Sequence, residues 1–145
     1  MAMSLREITM ENFHDCIHLE LEDVQKNYVA SNMYSLAEAK ADGVSVPLAI
    51  YDGDTMVGFI MYDYNEGEQV GYISRLMVDC RHQRKGIGRY AMNQVIDRLR
   101  AFKDRKYIQT SYAPENAMAG KLYESLGFVK TGEVADGEVV CILKD

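Results

Sequence analysis

Leu76-Met77-Val78-Asp79-Cys80-Arg81-His82-Gln83-Arg84-Lys85-Gly86-Ile87-Gly88-Arg89-Tyr90-Ala91-Met92 decides how this chain reads. Leu76 to Val78 suit the end of a central strand, and the residues after Gly88 open a helix. Ala91, Met92, Val95, Ile96, Leu99 and Phe102 recur at helical spacing and predict its buried stripe. The loop between them holds Gly86 and Gly88 among Arg81, His82, Arg84, Lys85 and Arg89. Glycine lets a backbone turn sharply and come close to a ligand, and N–H groups at a helix start point outward beside the positive end of the dipole. Strand, basic glycine loop and helix start together make a phosphate cradle. The competing reading is a capping loop that is basic without a ligand.

Outward from this loop, Ser4 to Thr9 predicts a first strand. Phe13, Ile17, Leu21, Val24 and Tyr28 then form one apolar face of a helix capped by Thr9. Ser35-Leu36-Ala37-Glu38 has the form of a capping box opening a second helix that stops near Gly43. Val46 to Tyr51 and Thr55 to Tyr64 flank Asp52-Gly53-Asp54 and predict a hairpin. Gln69 to Val78 continues the sheet after a turn at Glu66-Gly67-Glu68. Beyond the long helix come a strand at Tyr107 to Ser111, a helix from Asn116 to Leu126 ending at Gly127, and a closing hairpin, Val129 to Val134 with Glu138 to Leu143, around Asp136-Gly137. The order β-α-α-β-β-β-α-β-α-β-β is that of an α/β chain, a mixed sheet with helices packed on it. No linker, repeat or low-complexity tract divides residues 1–145, so one domain is expected.

Composition narrows the setting. The chain has 145 residues, 48% hydrophobic and 26% charged, enough for a sizeable core without staples. Cys16, Cys80 and Cys141 are scattered and odd in number, which argues against disulfides or structural zinc and suits a reducing cytoplasm. No apolar run approaches the roughly 18 residues of a membrane span, and no basic then apolar segment opens the chain, so neither membrane nor secretion is expected. The net charge of −6 disfavours nucleic acid. It is unevenly spread: residues 1–79 hold 14 acids and 4 bases, a balance of −10, and residues 80–145 hold 8 acids and 12 bases, a balance of +4. The halves suit ligands of opposite sign, unless both sets are only solvated surface.

Which phosphate compound fits the loop follows from its context. Gly86-Ile87-Gly88-Arg89-Tyr90-Ala91 formally matches the dinucleotide fingerprint, but it stands several residues past its strand, and the next strand, Ile108-Gln109-Thr110-Ser111, ends in no acid. Only 57 residues follow Gly88, too few for that fold. A P-loop needs Gly-Lys-Ser/Thr four residues after a glycine, which is missing. Gln83-Arg84-Lys85-Gly86-Ile87-Gly88 instead resembles the Q/R-x-x-G-x-G/A pyrophosphate motif of the GCN5-related N-acetyltransferases, in that family's place between the fourth strand and the third helix. Asn116, Ala119, Leu122 and Tyr123, followed by Leu126-Gly127-Phe128, resemble the family's later motif.

The resemblance implies the acyl-CoA N-acyltransferase fold, a mixed sheet splayed between its fourth and fifth strands, and acetyl transfer from acetyl-CoA, as cosubstrate, to an amine. It implies that main-chain groups near Met77 and Val78 pair with the pantetheine. Gln83 and the amides from Arg84 through Lys85, Gly86, Ile87 and Gly88 to Arg89 would hold the pyrophosphate, with charge from Arg84, Lys85 and Arg89. Asn116 and Ala119 would meet the cofactor arm, the Val78 N–H would face the oxyanion, and Tyr123 would approach the sulfur as general acid. A phenol is protonated at neutral pH and can donate; its alternative role is packing beside Phe128. No base transfers with the resemblance, because Ser74 and Arg75 stand where some polyamine-acetylating relatives have a carboxylate; a water chain to Glu20, Glu22 or Glu66, or loss of the proton to bulk water, is left. The family's frequent dimers leave a homodimer open.

Glu20, Glu22, Asp23, Asp63, Glu66 and Glu68 could line an acceptor groove that attracts a polycation. Gln25, Tyr28, Val29, Asn32, Ser35, Leu36, Ala37 and Ala39 are spaced as in the first helix–loop–helix of bacterial spermine/spermidine N-acetyltransferases, which implies Tyr28 and Asn32 as acceptor contacts and spermidine or spermine as acceptor. A peptide amine or an aminoglycoside-like amine is the alternative, and a non-catalytic acetyl-CoA sensor is the alternative of another class. His14, His18 and Glu22 lie at i, i+4 and i+8, but such groups are common on solvated faces and no metal is expected. Cys80 sits beside basic residues without a histidine partner and reads as incidental. Ten tyrosines without tryptophan point to core and cleft roles rather than an RNA platform.

Overall fold

Alternation along the strands decides which side chains meet which helices. In the computed structural model, which describes residues 2–26 and 28–144 and only the backbone of Val24, seven strands form one sheet. They are β1 (Met3–Glu7), β2 (Val46–Asp52), β3 (Thr55–Asn65), β4 (Val70–Val78), β5 (Tyr107–Tyr112), β6 (Val129–Ala135) and β7 (Glu138–Leu143), in the spatial order β1-β2-β3-β4-β5-β7-β6. Four helices, α1 (Phe13–Ile17), α2 (Asn32–Asp42), α3 (Ile87–Arg100) and α4 (Ala117–Ser125), cover it. Leu48, Ile50, Val57 and Ile60 pack with Ala91, Met92, Val95, Ile96 and Leu99 of α3 on one face. Ala49, Tyr51, Phe59, Met61 and Met77 pack with Cys16 of α1 and Ala39 of α2 on the other. Burial on both faces explains why the central strands read as near-continuous apolar runs.

The hairpin turns lie where the sequence puts them. Gly53 has φ 61°, and Asp136 and Gly137 have φ 52° and 79°, the paired positive values of a two-residue turn matched to strand twist. All neighbours are antiparallel except β4 and β5, which run parallel.

Three expectations require correction. The helix expected from Phe13 to Tyr28 ends at Ile17, and a 3-10 turn at Asp23–Gln25 follows. The reason is a pin: the Glu20 N–H donates to Asp79 Oδ2 at 3.0 Å, and the Cys80 N–H donates to the Glu20 carbonyl at 2.7 Å. Of the expected apolar stripe, Leu21 packs on the α1/α2 side, joined by Leu19 outside that spacing, while Tyr28 lines a cleft and the Val24 side chain lies outside the described residues. The second helix starts earlier than Ser35. Ser31 is its N-cap, accepting from the Tyr34 N–H at 3.0 Å, and Ser35 is buried inside, donating to the Ser31 carbonyl at 2.9 Å. Phe102 falls beyond α3 and is partly exposed, stacked on Tyr64 with centroids 4.1 Å apart.

Candidate active site

The site begins where β4 and β5 part. They pair from Val70↔Tyr107 to Ile73↔Thr110 only, although β4 runs on to Val78 and β5 to Tyr112. A bulge starts the divergence: Met61 pairs with Arg75 and Tyr62 with Ile73, which leaves Ser74 as the extra residue that bends β4. At the fork the Thr110 hydroxyl donates to the Ile73 carbonyl at 2.9 Å, and the Tyr123 hydroxyl of α4 contacts the same Thr110.

Main-chain direction follows from the ladder. The Asp79 N–H donates to the Val57 carbonyl at 2.8 Å. The Met77 carbonyl faces β3 so closely that a Cβ on Gly58 would lie 2.6 Å from it. Polar groups alternate along a strand, so the intervening Val78 N–H points away from β3, into the fork. The Val78 carbonyl is taken by Gln83 Nε2 at 3.0 Å, and the same nitrogen donates to Gln25 Oε1 at 2.8 Å. Gln83 is therefore a brace between β4, its loop and the 3-10 turn.

The loop to α3 is fixed by Asp79, which is fully buried. Burial alone would raise its carboxyl, but the Arg81 guanidinium and the N–H groups of Glu20 and Arg81 outweigh that and pull it down to about 2. Arg84, with φ 66°, and Gly86, with φ 77°, turn the chain into α3. Gly86 is the N-cap and offers no side-chain oxygen, so the first-turn amides of α3 keep their donors for something else. A Cβ on Gly88 would stand 3.4 Å from Leu122, 3.8 Å from Leu76 and 3.9 Å from Val78, all of which line the cleft. Its absence keeps that cleft open. Donors, positive dipole end and cation side chains suit the pyrophosphate and arm of coenzyme A.

Two clefts meet at the fork. The first, about 280 Å³, is lined by the end of β4, the glycine loop, the start of α4, and Leu21, Gln25 and Val29. The second, about 320 Å³, is lined by Tyr28 to Ala30, β4 from Ile73, β5 from Thr110, Tyr123, Asp136 and Glu138. They share Val29, Leu76, Asn116 and Ala119, so they are continuous.

The first cleft brings together Met77, Val78, Gln83, Arg84, Gly86, Ile87, Gly88, Arg89, Asn116 and Ala119 of the expected donor site. Asn116 is the N-cap of α4, accepting from the Ala119 N–H at 3.3 Å, and Arg89 donates to Ser125 Oγ at 2.7 Å. Lys85 is exposed on the loop outside this lining. Tyr123 lies on the second cleft, buried, edge-on to Tyr112 at 6.0 Å and near Phe128 at 5.9 Å. Burial, joined by Cys141 and Glu138 and opposed by Thr110, pushes its phenol well above the ordinary value of 10.0.

The expected acceptor residues do not assemble. Tyr28 lines the second cleft. Asn32 is buried beneath the sheet, bonded to the Cys16 carbonyl at 2.9 Å, and Glu20 lies in a separate hollow with His18, Cys80 and Arg81. Glu22 is exposed before the 3-10 turn, and Glu66 sits in the β3–β4 turn, roughly 25 Å of strand from Val78. Among the described residues, the carboxylates lining the second cleft are Asp136 and Glu138. Sequence reasoning missed them because it treated them as closing-hairpin residues. The parallel position of β5 beside β4 was the signal that could have found them, since β7 follows β5 into the fork. Among the described residues no group of three or more His, Cys, Asp or Glu side chains could hold a metal ion, and no helix is long and apolar enough to cross a membrane.

A forked mixed sheet, a glycine loop opening the long helix and a buried tyrosine at the fork are the arrangement the resemblance to N-acetyltransferases led us to expect. The chain belongs to the acetyltransferase (GNAT) family, which it matches over residues 3–128. It is similar to the spermine/spermidine N(1)-acetyltransferase of Bacillus subtilis (strain 168), 29% identical over 149 residues covering 98% of each chain. Its fold is that of the PaiA N-acetyltransferase of Thermoplasma acidophilum in complex with coenzyme A, with a TM-score of 0.75, 16% identity and the whole of both chains covered. The spermidine N-acetyltransferase of Vibrio cholerae in complex with CoA and spermine gives the same TM-score of 0.75 at 19% identity, over 97% of this chain and 92% of that one.

Proposed function

We propose that this acetyltransferase moves the acetyl group of acetyl-CoA onto a primary amine of a polyamine such as spermidine or spermine, in a ternary complex. The observation that carries the reading is the junction of the two clefts at Leu76, Asn116 and Ala119, with Tyr123 facing it. Support for the acceptor comes from the spermine/spermidine relative and from the acidic lining of the second cleft.

Each residue has a defined task. The amides opening α3 hold the pyrophosphate, and Arg84 and Arg89 add charge. The Val78 N–H donates to the thioester oxygen as it gains charge, so the donor is in place before reaction. Tyr123 presents its proton to the departing sulfur. Burial keeps the phenol protonated at neutral pH, so its proton is in place when the sulfur departs. Tyr28 lines the acceptor's approach.

The setting we propose is the cytoplasm, where the free thiols of Cys16, Cys80 and Cys141 stay reduced. A homodimer rests on the family resemblance and is read by sedimentation. The test of function is initial-rate release of coenzyme A with spermidine, spermine, a lysine peptide and an aminoglycoside side by side. Release that depends on amine and favours a polyamine is the expected result. A preference for the peptide or aminoglycoside overturns the acceptor, and binding of acetyl-CoA without release for any amine makes the chain a sensor.

A further inference from the structure

We propose that Glu138 is the carboxylate that holds the acceptor's ammonium group beside Tyr123 and takes its proton, an inference that rests on the amine acetylation proposed above. Glu138 opens β7 directly after the Asp136-Gly137 turn and lines the second cleft with Tyr123 and Tyr28. Ser111 pairs with Val140, so Ser111 and Glu138 share one face of the sheet, and the Ser111 hydroxyl donates to Glu138 Oε1 at 2.6 Å. That bond fixes the carboxylate and uses one of its roughly four acceptor sites. Glu138 also acts on the Tyr123 phenol electrostatically, which puts base and acid within one field.

The other charges facing this carboxylate leave the cleft negative. Arg75 lines it, but its Nη2 is paired with Glu38 Oε1 at 3.1 Å. Asp136 adds a second negative charge, and Tyr28, Tyr112 and Tyr123 are the remaining titratable lining groups. A cation is the ligand such a cleft attracts.

An alkyl ammonium near pKa 10.4 has no lone pair at neutral pH. Glu138 removes one proton, and the freed nitrogen forms the carbon–nitrogen bond as the carbon–sulfur bond breaks. Tyr123 gives its proton to the sulfur, and the second proton of the nitrogen returns to the phenolate. The products are the acetamide, coenzyme A thiol and one proton on Glu138, which leaves to water.

The test is Glu138→Gln, which keeps an acceptor for Ser111, assayed with spermidine over a range of pH beside Glu138→Asp and Asp136→Asn. In Glu138→Gln, kcat/KM for spermidine is expected to fall about 10²-fold at neutral pH. The loss shrinks at high pH, where free amine is supplied by solvent, the KM for acetyl-CoA stays within about twofold, and Glu138→Asp recovers part of the rate. A kcat/KM within twofold of wild type overturns the proposal, as does a loss independent of pH or an equal loss in Asp136→Asn. Should the wild type prefer a lysine peptide, the polyamine reading fails, and the same comparison on that peptide still decides the role of Glu138.

Discussion

Tyr123 is held by two different kinds of contact, and substitution separates them. Its ring packs in the core with Tyr112 and Phe128, while its hydroxyl meets Thr110 at the fork. Tyr123→Phe keeps the ring and removes the proton. It is expected to lower kcat about 10²-fold while the KM for acetyl-CoA changes less than about threefold, read by steady-state kinetics; an unchanged kcat removes Tyr123 from the chemistry. Asp79 works on stability. Its carboxyl sits at about 2 in the folded chain against 3.8 for the ordinary group, so its contribution is fully present above pH 4 and is lost as pH falls through about 2. That contribution is about 2 kcal/mol. Urea unfolding of wild type from pH 5 to pH 2 should show it, and Asp79→Asn should lack that part of the pH dependence.

The long helix and its loop were legible because several signals agreed. The apolar stripe of α3, Gly86 in the left-handed region and the cationic flank all indicated one strand-to-helix junction, and each is in place. Gly88 allows a prediction of opposite signs. Gly88→Ala adds a helix-favouring methyl and should stabilise the fold by up to about 1 kcal/mol. The same methyl enters the first cleft beside Leu122, so acetyl-CoA binding should weaken about tenfold, or about 1.4 kcal/mol. A thermal melt and a titration with acetyl-CoA measure the two effects, and unchanged affinity would mean that the donor does not pass Gly88. The segment Leu19–Glu22 was not legible, because its path is set by a partner 59 residues away, Asp79, whose grip on the Glu20 N–H leaves no local trace. Ser35 misled for a related reason: Ser31 caps first and draws Ser35 inward.

At the scale of the whole molecule, the uneven charge of the two halves matches the lining of one cleft and not of the other. The basic loop does open the first cleft, whereas the acids of residues 1–79 do not line the second; Asp136 and Glu138, from the basic half, do. Charge along a chain becomes charge around a site only after topology is known, and here the β5-β7-β6 order carries the closing hairpin back to the fork. The lining of the first cleft was readable because a contiguous loop builds most of it, and that of the second was not because it draws on β4, β5, α4, β7 and the segment at Tyr28. In the proposed reaction, donor and acceptor meet across this fork and exchange the acetyl group directly. Mass spectrometry of a single turnover with isotope-labelled acetyl-CoA and spermidine tests it. The label should appear on spermidine in step with coenzyme A thiol, with none on the protein. Label on the protein before the amine, or thiol released without acetylated amine, would contradict it.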